Sequence, residues 1–386
     1  MSSKVLVAMS GGVDSSVAAY LLKSAGHELI GAMMKLYSTE DIHENSTHRG
    51  CCSLSDAEDA RAVATSMDIP FFVFNFTDTF GAEVIERFVK AYEQGLTPNP
   101  CIDCNRFMKF KRLLHRSTEL ECDYISTGHY ARISRENGRF LLKTGLDATK
   151  DQSYVLYAMT QPQLSRTLLP LGELTKEAVR EIAAEQGFIN ARKKDSQDIC
   201  FAPDGDYAGF IERYTFCPTK KGRFINKDGQ TLGEHRGIIN YTIGQRKGLG
   251  LFHPEPLYVL NLNAKDNTVT VGASDDLFAT TLHACDINLI PMDKLDGPMR
   301  VQAKIRYSHP PAPATLWQLD DDTIRVEFDT PQRAITPGQA IVLYDGEIVI
   351  GGGTIEGAIN RSPKSKSDRN TYTIYDDSCD RCNING

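Results

Sequence analysis

At 386 residues the chain is long enough for two or three domains, each able to bury its own core. With 41% hydrophobic and 24% charged residues it has the composition of a soluble globular protein, and no apolar run nears the ~20 residues that span a bilayer. The net charge of −7 argues against a generally basic, nucleic-acid-coating surface, while leaving room for local basic patches. The N-terminus leads straight into an apolar strand, without the pattern of a signal or transit peptide, so a cytoplasmic location is expected. Ten irregularly spaced cysteines in such a chain read as buried, catalytic or metal-bound thiols rather than a disulfide framework.

Val5 to Met9 reads as a buried strand, and Val13 to Lys23, with Val17, Ala18, Leu21 and Leu22 at helical spacing, as the helix after it. Between them lies Ser10-Gly11-Gly12-Val13-Asp14-Ser15. Glycines let backbone N–H groups approach an anion, the first helical turn has N–H donors to spare, and Ser10 and Ser15 add hydroxyls. This is the chemistry of a phosphate cradle. No Gly-Lys-Ser/Thr follows, so it is not the loop used for γ-phosphate transfer. The hexapeptide resembles the PP-loop of ATP pyrophosphatases, which release pyrophosphate and hand AMP to a substrate oxygen. An ordinary Gly-rich turn is the alternative.

Further along, Glu28 to Leu36 reads as a strand, Asp56 to Met67 as a helix, Phe71 to Phe76 as a strand and Ala82 to Tyr92 as a helix. Asp123 to Thr127 is a further strand, ending in Gly128-His129-Tyr130. Alternation at this spacing predicts a doubly wound parallel sheet, with ligands beyond the carboxyl ends of its strands. Met34 and Lys35 are expected to face that crevice. The polar stretch Tyr37 to Ser55, with Cys51-Cys52, reads as a lid. Leu174 to Phe188 reads as an amphipathic helix, with Thr175 as N-cap, Val179, Ile182 and Ala183 inward and Gly187 at its end. From about Tyr214 the pattern becomes short alternating runs between turns such as Lys227-Asp228-Gly229 and Asp345-Gly346. Two small β-rich modules follow, split near Ala279 to Asp286, and the polar tail from Ser362 reads as disordered.

Two cysteines stand in polar, basic settings. Asn99-Pro100-Cys101-Ile102-Asp103-Cys104-Asn105 leads into Arg106-Phe107-Met108-Lys109-Phe110-Lys111-Arg112. A helix starting near Asp103 or Cys104 would favour the Cys104 thiolate, with Lys109, Arg112 and Arg116 along one face. Residues 101–116 carry five basic side chains and one acidic one, a solvated helix face in the plainer reading. Cys200 lies in Asp195-Ser196-Gln197-Asp198-Ile199-Cys200-Phe201 behind Arg192-Lys193-Lys194; taken alone, such a cysteine is more often a core residue next to Ile199 and Phe201.

Together with Ser126-Thr127-Gly128-His129-Tyr130-Ala131, Lys150-Asp151-Gln152-Ser153, Tyr241 to Gly250 (YTIGQRKGLG) and Ile305-Arg306-Tyr307-Ser308, these stretches resemble the tRNA-specific 2-thiouridylases as far as about Arg361. The resemblance implies a fold in three parts: a PP-loop domain over residues 1–213, a central β-rich, tRNA-contacting domain over 214–280, and a C-terminal β-barrel over 281–361, with 362–386 as a tail. It implies ATP-dependent 2-thiolation of the wobble uridine: adenylation of uracil O2 with loss of pyrophosphate, then displacement of AMP by sulfur. A separate donor protein loads a persulfide on Cys200, and Cys104 acts as nucleophile or resolving thiol. ATP, with Mg2+, would be held by Ala8, Met9, Ser10, Gly11, Gly12, Val13, Asp14, Ser15, Met34 and Gly128. Asn99, Pro100 and Cys101 would border the target base. His129, Lys150, Asp151, Gln152, Arg306, Tyr307 and Gln339 would approach tRNA.

Cys101 stands where several family members carry Asp, which opens a second arrangement: an iron–sulfur cluster (4Fe–4S) on Cys101, Cys104 and Cys200, with the fourth iron open to sulfide. Cys379 and Cys382 in the tail are too few ligands for a metal. A small-molecule PP-loop ligase explains the loop but leaves both cysteines and the basic helix idle. A non-catalytic metal-binding RNA module leaves the loop unexplained.

Overall fold

The computed structural model describes residues 2–37, 54–193 and 199–359. The readings on Cys51-Cys52, on Asp195 to Asp198 and on the tail with Cys379 and Cys382 therefore lie outside the described residues. Two compact units emerge: one from the chain up to Glu86, Pro100–Asp206 and Glu347–Val349, the other from Arg87–Asn99, Tyr207–Gly346 and the chain from Ile350. Among the described residues no helix is long and apolar enough to cross a membrane.

The first unit is built on a five-stranded parallel sheet, ordered Phe71–Asn75, Glu28–Lys35, Lys4–Ala8, Tyr124–Ser126, Thr167–Leu168. Val5, Leu6 and Val7 are wholly buried, as an apolar run with helices on its faces requires. Val17 and Ala18 of the helix Val13–Ser24, Val63 of Leu54–Ser66, and Val179 and Ala183 of Lys176–Glu185 share one core with Val5 and Val7. The strand order reverses between Lys4–Ala8 and Tyr124–Ser126. That reversal opens a crevice beyond their carboxyl ends, where both following loops begin.

Two helical stretches differ from the sequence reading. The segment read as one helix from Ala82 runs from Thr77 to Glu93, with a π-helical insert at Gly81–Ile85. The basic helix starts not at Asp103 or Cys104 but at Pro100, whose fixed φ and missing N–H suit a first helical turn. It continues as a π-helix over Cys104–Leu113 and ends as Leu114–Glu119. A hairpin, Ala131–Glu136 with Arg139–Thr144, was not read at all, although Asn137-Gly138 at its tip has both φ angles positive, at 50° and 83°.

In the second unit the Phe88 and Tyr92 rings pack at a tilt with their centroids 4.8 Å apart, and Phe88 meets Tyr207 and Phe210 of the helix Tyr207–Thr215 edge-on. A four-stranded sheet follows, ordered Tyr258–Asn263, Thr268–Gly272, Gly222–Ile225, Thr231–His235. Then come six strands: Phe278–Leu289, Ile324–Arg333, Ala312–Gln318, Met299–Lys304, Ala340–Asp345 and Ile348–Ile359 in spatial order. The last pairs back onto the first, so the sheet closes into a barrel around Leu282, Leu316, Val326 and Ile341. Residues 279–286, where the sequence reading puts the split between modules, lie within the continuous strand Phe278–Leu289. The chain's one tryptophan, Trp317, lies opposite Arg325 in this barrel, the guanidinium 4.4 Å above its ring.

Candidate functional site

Gly11 has φ +74°, and a Cβ there would stand 2.2 Å from the Asp56 carbonyl oxygen, so only glycine fits. Gly12 caps the helix Val13–Ser24 without offering a side chain, which leaves first-turn N–H groups to a ligand. Ser15 Oγ donates to Gly12 O (3.0 Å) and accepts from Ser10 N–H (3.2 Å), shaping the loop from within. At Gly128, a Cβ would meet Ser15 N and Asp14 C at 2.9 Å; the loop after the neighbouring strand touches this one through a glycine.

Four residues of this neighbourhood were missed by the sequence reading. Lys176, the first residue of its helix, donates to both carboxylate oxygens of Asp14 (2.7 and 2.9 Å), and Tyr130 Oη–H donates to the same carboxylate (2.8 Å). Asn190 Nδ2 donates to Gly11 O (3.0 Å) and Ser16 Oγ (2.9 Å). Lys193 Nζ donates to Gly11 O (3.0 Å), Asp56 (2.5 Å) and Asp59 (2.7 Å). Burial alone would push the Lys193 ammonium pKa down; the hydrogen bonds it donates to Asp56 and Asp59 outweigh it and hold it above the ordinary lysine value. The lysine absent from the loop is thus answered by two lysines from far along the chain. The signal for Lys193 was the basic run before Cys200; Lys176 left none beyond its place after an N-cap.

A cavity of about 320 Å³ opens at this switch point, lined by Ala8, Met9, Ser10, Asp14, Ser15 and Gly128 from the two loops. Met34 lines it too, while Lys35 is exposed at the strand end. Pro100, Cys101 and Cys104 enter from the basic helix and Cys200 from the segment after residue 198. The Cys200 carbonyl accepts from Tyr37 Oη–H (3.0 Å), and Phe201 behind it packs edge-on against the buried Phe80. Cys101 is exposed, Cys104 and Cys200 half-buried, and all three are thiols. Among the described residues no three His, Cys, Asp or Glu side chains gather at metal-holding separation.

His129 is a buried cavity residue, with Nδ1 2.7 Å from Thr127 Oγ1 and Nε2 3.3 Å from Lys109 Nζ. Burial, and then the Lys109 charge, push its pKa well below the ordinary histidine value. Gln152 lines the cavity, but its amide oxygen accepts from Tyr130 N–H (3.0 Å). Asp151 accepts from the backbone N–H groups of Gly145 and Ser153 and from Ser153 Oγ–H, closing the turn in which Lys150 sits. Asn99, Arg306, Tyr307 and Gln339 belong to the second unit. There Tyr307 is exposed with Lys304 above its ring, and Gln339 donates to Thr97 O at 2.7 Å.

Residues 3–204 match the family described as tRNA methyl transferase HUP domain, 208–273 the tRNA methyl transferase PRC-barrel domain, and 274–355 the aminomethyltransferase beta-barrel domain. The chain is 53% identical over 353 residues to the tRNA-specific 2-thiouridylase MnmA of Lachnoclostridium phytofermentans, covering 91% of this chain and 99% of that one. The chain belongs to the tRNA-specific 2-thiouridylase family. A member of this family from Clostridioides difficile is 50% identical over 358 residues, 92% of this chain and 99% of its own. Among solved structures, the U34-tRNA thiolase NcsA from Methanococcus maripaludis with its 4Fe–4S cluster is similar at TM-score 0.33 and 18% identity, over 55% of this chain and 71% of that one.

Proposed function

We propose that the chain is an ATP-dependent tRNA-uridine 2-sulfurtransferase that acts on the wobble uridine in the cytoplasm. The observation that carries this reading is one cavity lined both by the Ser10–Ser15 loop and by two thiols, Cys104 and Cys200. ATP is the substrate whose phosphates suit the loop: the residues present offer first-turn N–H groups, the Ser10 and Ser15 hydroxyls, and the lysines behind Asp14 and Gly11. Ala8 to Ser15, Met34 and Gly128 hold the nucleotide, with Mg2+ neutralising its phosphates. Asn99, Pro100 and Cys101 border the base.

The uracil O2 attacks the α-phosphorus and pyrophosphate leaves. The terminal sulfur of a Cys200 persulfide, loaded by a separate donor protein, then attacks C2 and AMP leaves. Cys104 attacks the Cys200 sulfur, the S–S bond to the product breaks, and a Cys104–Cys200 disulfide remains for an external dithiol to reduce. In the variant order Cys104 attacks first, and hydrogen sulfide carries the sulfur to C2.

His129, Lys150, Asp151, Gln152, Arg306, Tyr307 and Gln339 serve the tRNA side. Of these, Asp151, Gln152 and Gln339 act by holding backbone, given the hydrogen bonds they make. The division into residues 1–213, 214–280 and 281–361 is retained as a functional partition: chemistry first, tRNA grip after it.

The test is ATP-dependent sulfur incorporation into unmodified tRNA on a mercury-affinity gel, with a persulfide-loaded donor as the only sulfur source. Wild type is expected to thiolate and Cys200→Ser to lose thiolation entirely. Equal thiolation by both would end the role given to Cys200.

A further inference from the structure

Cys104 and Lys109 stand five residues apart on one helix. At the α-helical repeat of about 3.6 residues that spacing turns them to different sides, and groups Lys109 with Arg112 and Arg116. From Cys104 to Leu113, however, the helix is π-helical. Its N–H groups reach five residues back, so residues five apart come much nearer to one face than in an α-helix. Cys104 and Lys109 accordingly line the same cavity. Arg112 and Arg116 stay exposed, the latter over the Phe74 ring and paired with Glu119. The single basic face expected of this helix is divided.

Lys109 is also held in place. Its ammonium donates to His129 Nε2 at 3.3 Å, and His129 Nδ1–H then donates to Thr127 Oγ1 at 2.7 Å. The imidazole is buried, and burial together with the Lys109 charge holds it neutral. Among the described residues no carboxylate pairs with Lys109. Among the described residues the result is an aimed side chain with no carboxylate paired to it, in a cavity that a thiol of the same π-helical stretch also lines.

We propose that Lys109 is a positioning residue that keeps a positive charge on the Cys104 side of the cavity, so that the sulfur handled there, a thiolate or hydrosulfide, is held as an anion. This replaces the helix N-terminus as the source of Cys104 reactivity, since Cys104 lies a turn inside the helix. The inference rests on reading Cys104 as the nucleophilic thiol. Its test needs neither tRNA nor ATP, so its failure is distinct from a failure of the thiolation assay.

The full chain is alkylated at one neutral pH with iodoacetate, an anion, or iodoacetamide, which is neutral, and the Cys104 peptide is followed by mass spectrometry. Taking N-acetylcysteine as reference, the iodoacetate-to-iodoacetamide rate ratio at wild-type Cys104 is expected to be about five-fold higher, the worth of one nearby charge. Added salt should lower it. Lys109→Met should bring it to the reference value or below, and Lys109→Arg should keep it raised. A wild-type ratio equal to that of N-acetylcysteine overturns the proposal without any variant. So does an unchanged ratio in a folded Lys109→Met protein.

Discussion

Gly11 is where the nucleotide loop meets the rest of its unit. Alanine there would have to adopt a positive φ and push its methyl into the Asp56 carbonyl. Gly11→Ala is expected to cost about 2–4 kcal/mol and to weaken ATP binding with it. Urea unfolding followed by circular dichroism checks the first, and an unmoved midpoint would show that the Asp56 segment yields freely. At His129 the expectation concerns pH. Unfolded, this histidine takes up a proton below its ordinary pKa of 6.5; folded, burial and Lys109 hold it neutral to much lower pH. The unfolded state thus binds more protons in that window, and stability falls as pH falls through it, by up to about 1.4 kcal/mol per pH unit. In His129→Gln that part of the slope should vanish, measured as the wild-type-minus-variant difference in unfolding free energy between neutral and acid pH. A constant difference would mean that His129 is charged in the folded protein.

At the scale of elements, local chemistry made some features legible and tertiary contacts hid others. Thr175 was readable as an N-cap because a hydroxyl before a helical pattern has one common use, and its Oγ1 accepts from Ala178 N–H at 3.2 Å. The next residue, Lys176, was unreadable in its role, because its partner Asp14 lies 162 positions away. Thr175→Ala should therefore do two things: lower stability by about 1 kcal/mol, and raise the KM for ATP by loosening the lysine that opens the helix. An unchanged KM beside the stability loss would separate the cap from the nucleotide. The strand–turn–helix at the loop was legible because strand, glycines and helix all point the same way. The π-helical stretch was not: buried Asn105, Phe107, Met108, Phe110 and Leu113 also fit an α-helix in outline, and the wider turn shows only in which basic residue faces inward. Asn137-Gly138 carries a hairpin signal that stands outside the strand–helix alternation around it.

Over the whole molecule, alternation of strand and helix was enough for the parallel sheet, and short alternating runs were enough for a β-rich second half. Where the barrel begins was not, since Phe278–Leu289 continues through what reads as a junction. The candidate site was legible as three separate stretches; that they line one cavity is a property of the sheet order. The net charge of −7 sets a further expectation. An acidic protein that binds tRNA does so through few, local phosphate contacts, so the affinity should fall by only about 10- to 100-fold between 50 and 200 mM salt, the slope of two to four phosphates. Filter binding over a salt series measures this, and a slope several times steeper would call for a basic surface much larger than the one helix face supplies.

Trp317 gives the chain a native optical label. It is the single indole in 386 residues, it sits in the barrel, and a guanidinium lies against its ring. Emission excited at the red edge of protein absorption, where tyrosine drops out, therefore comes from one place in the second unit. Its colour and polarisation report on the barrel's own surroundings.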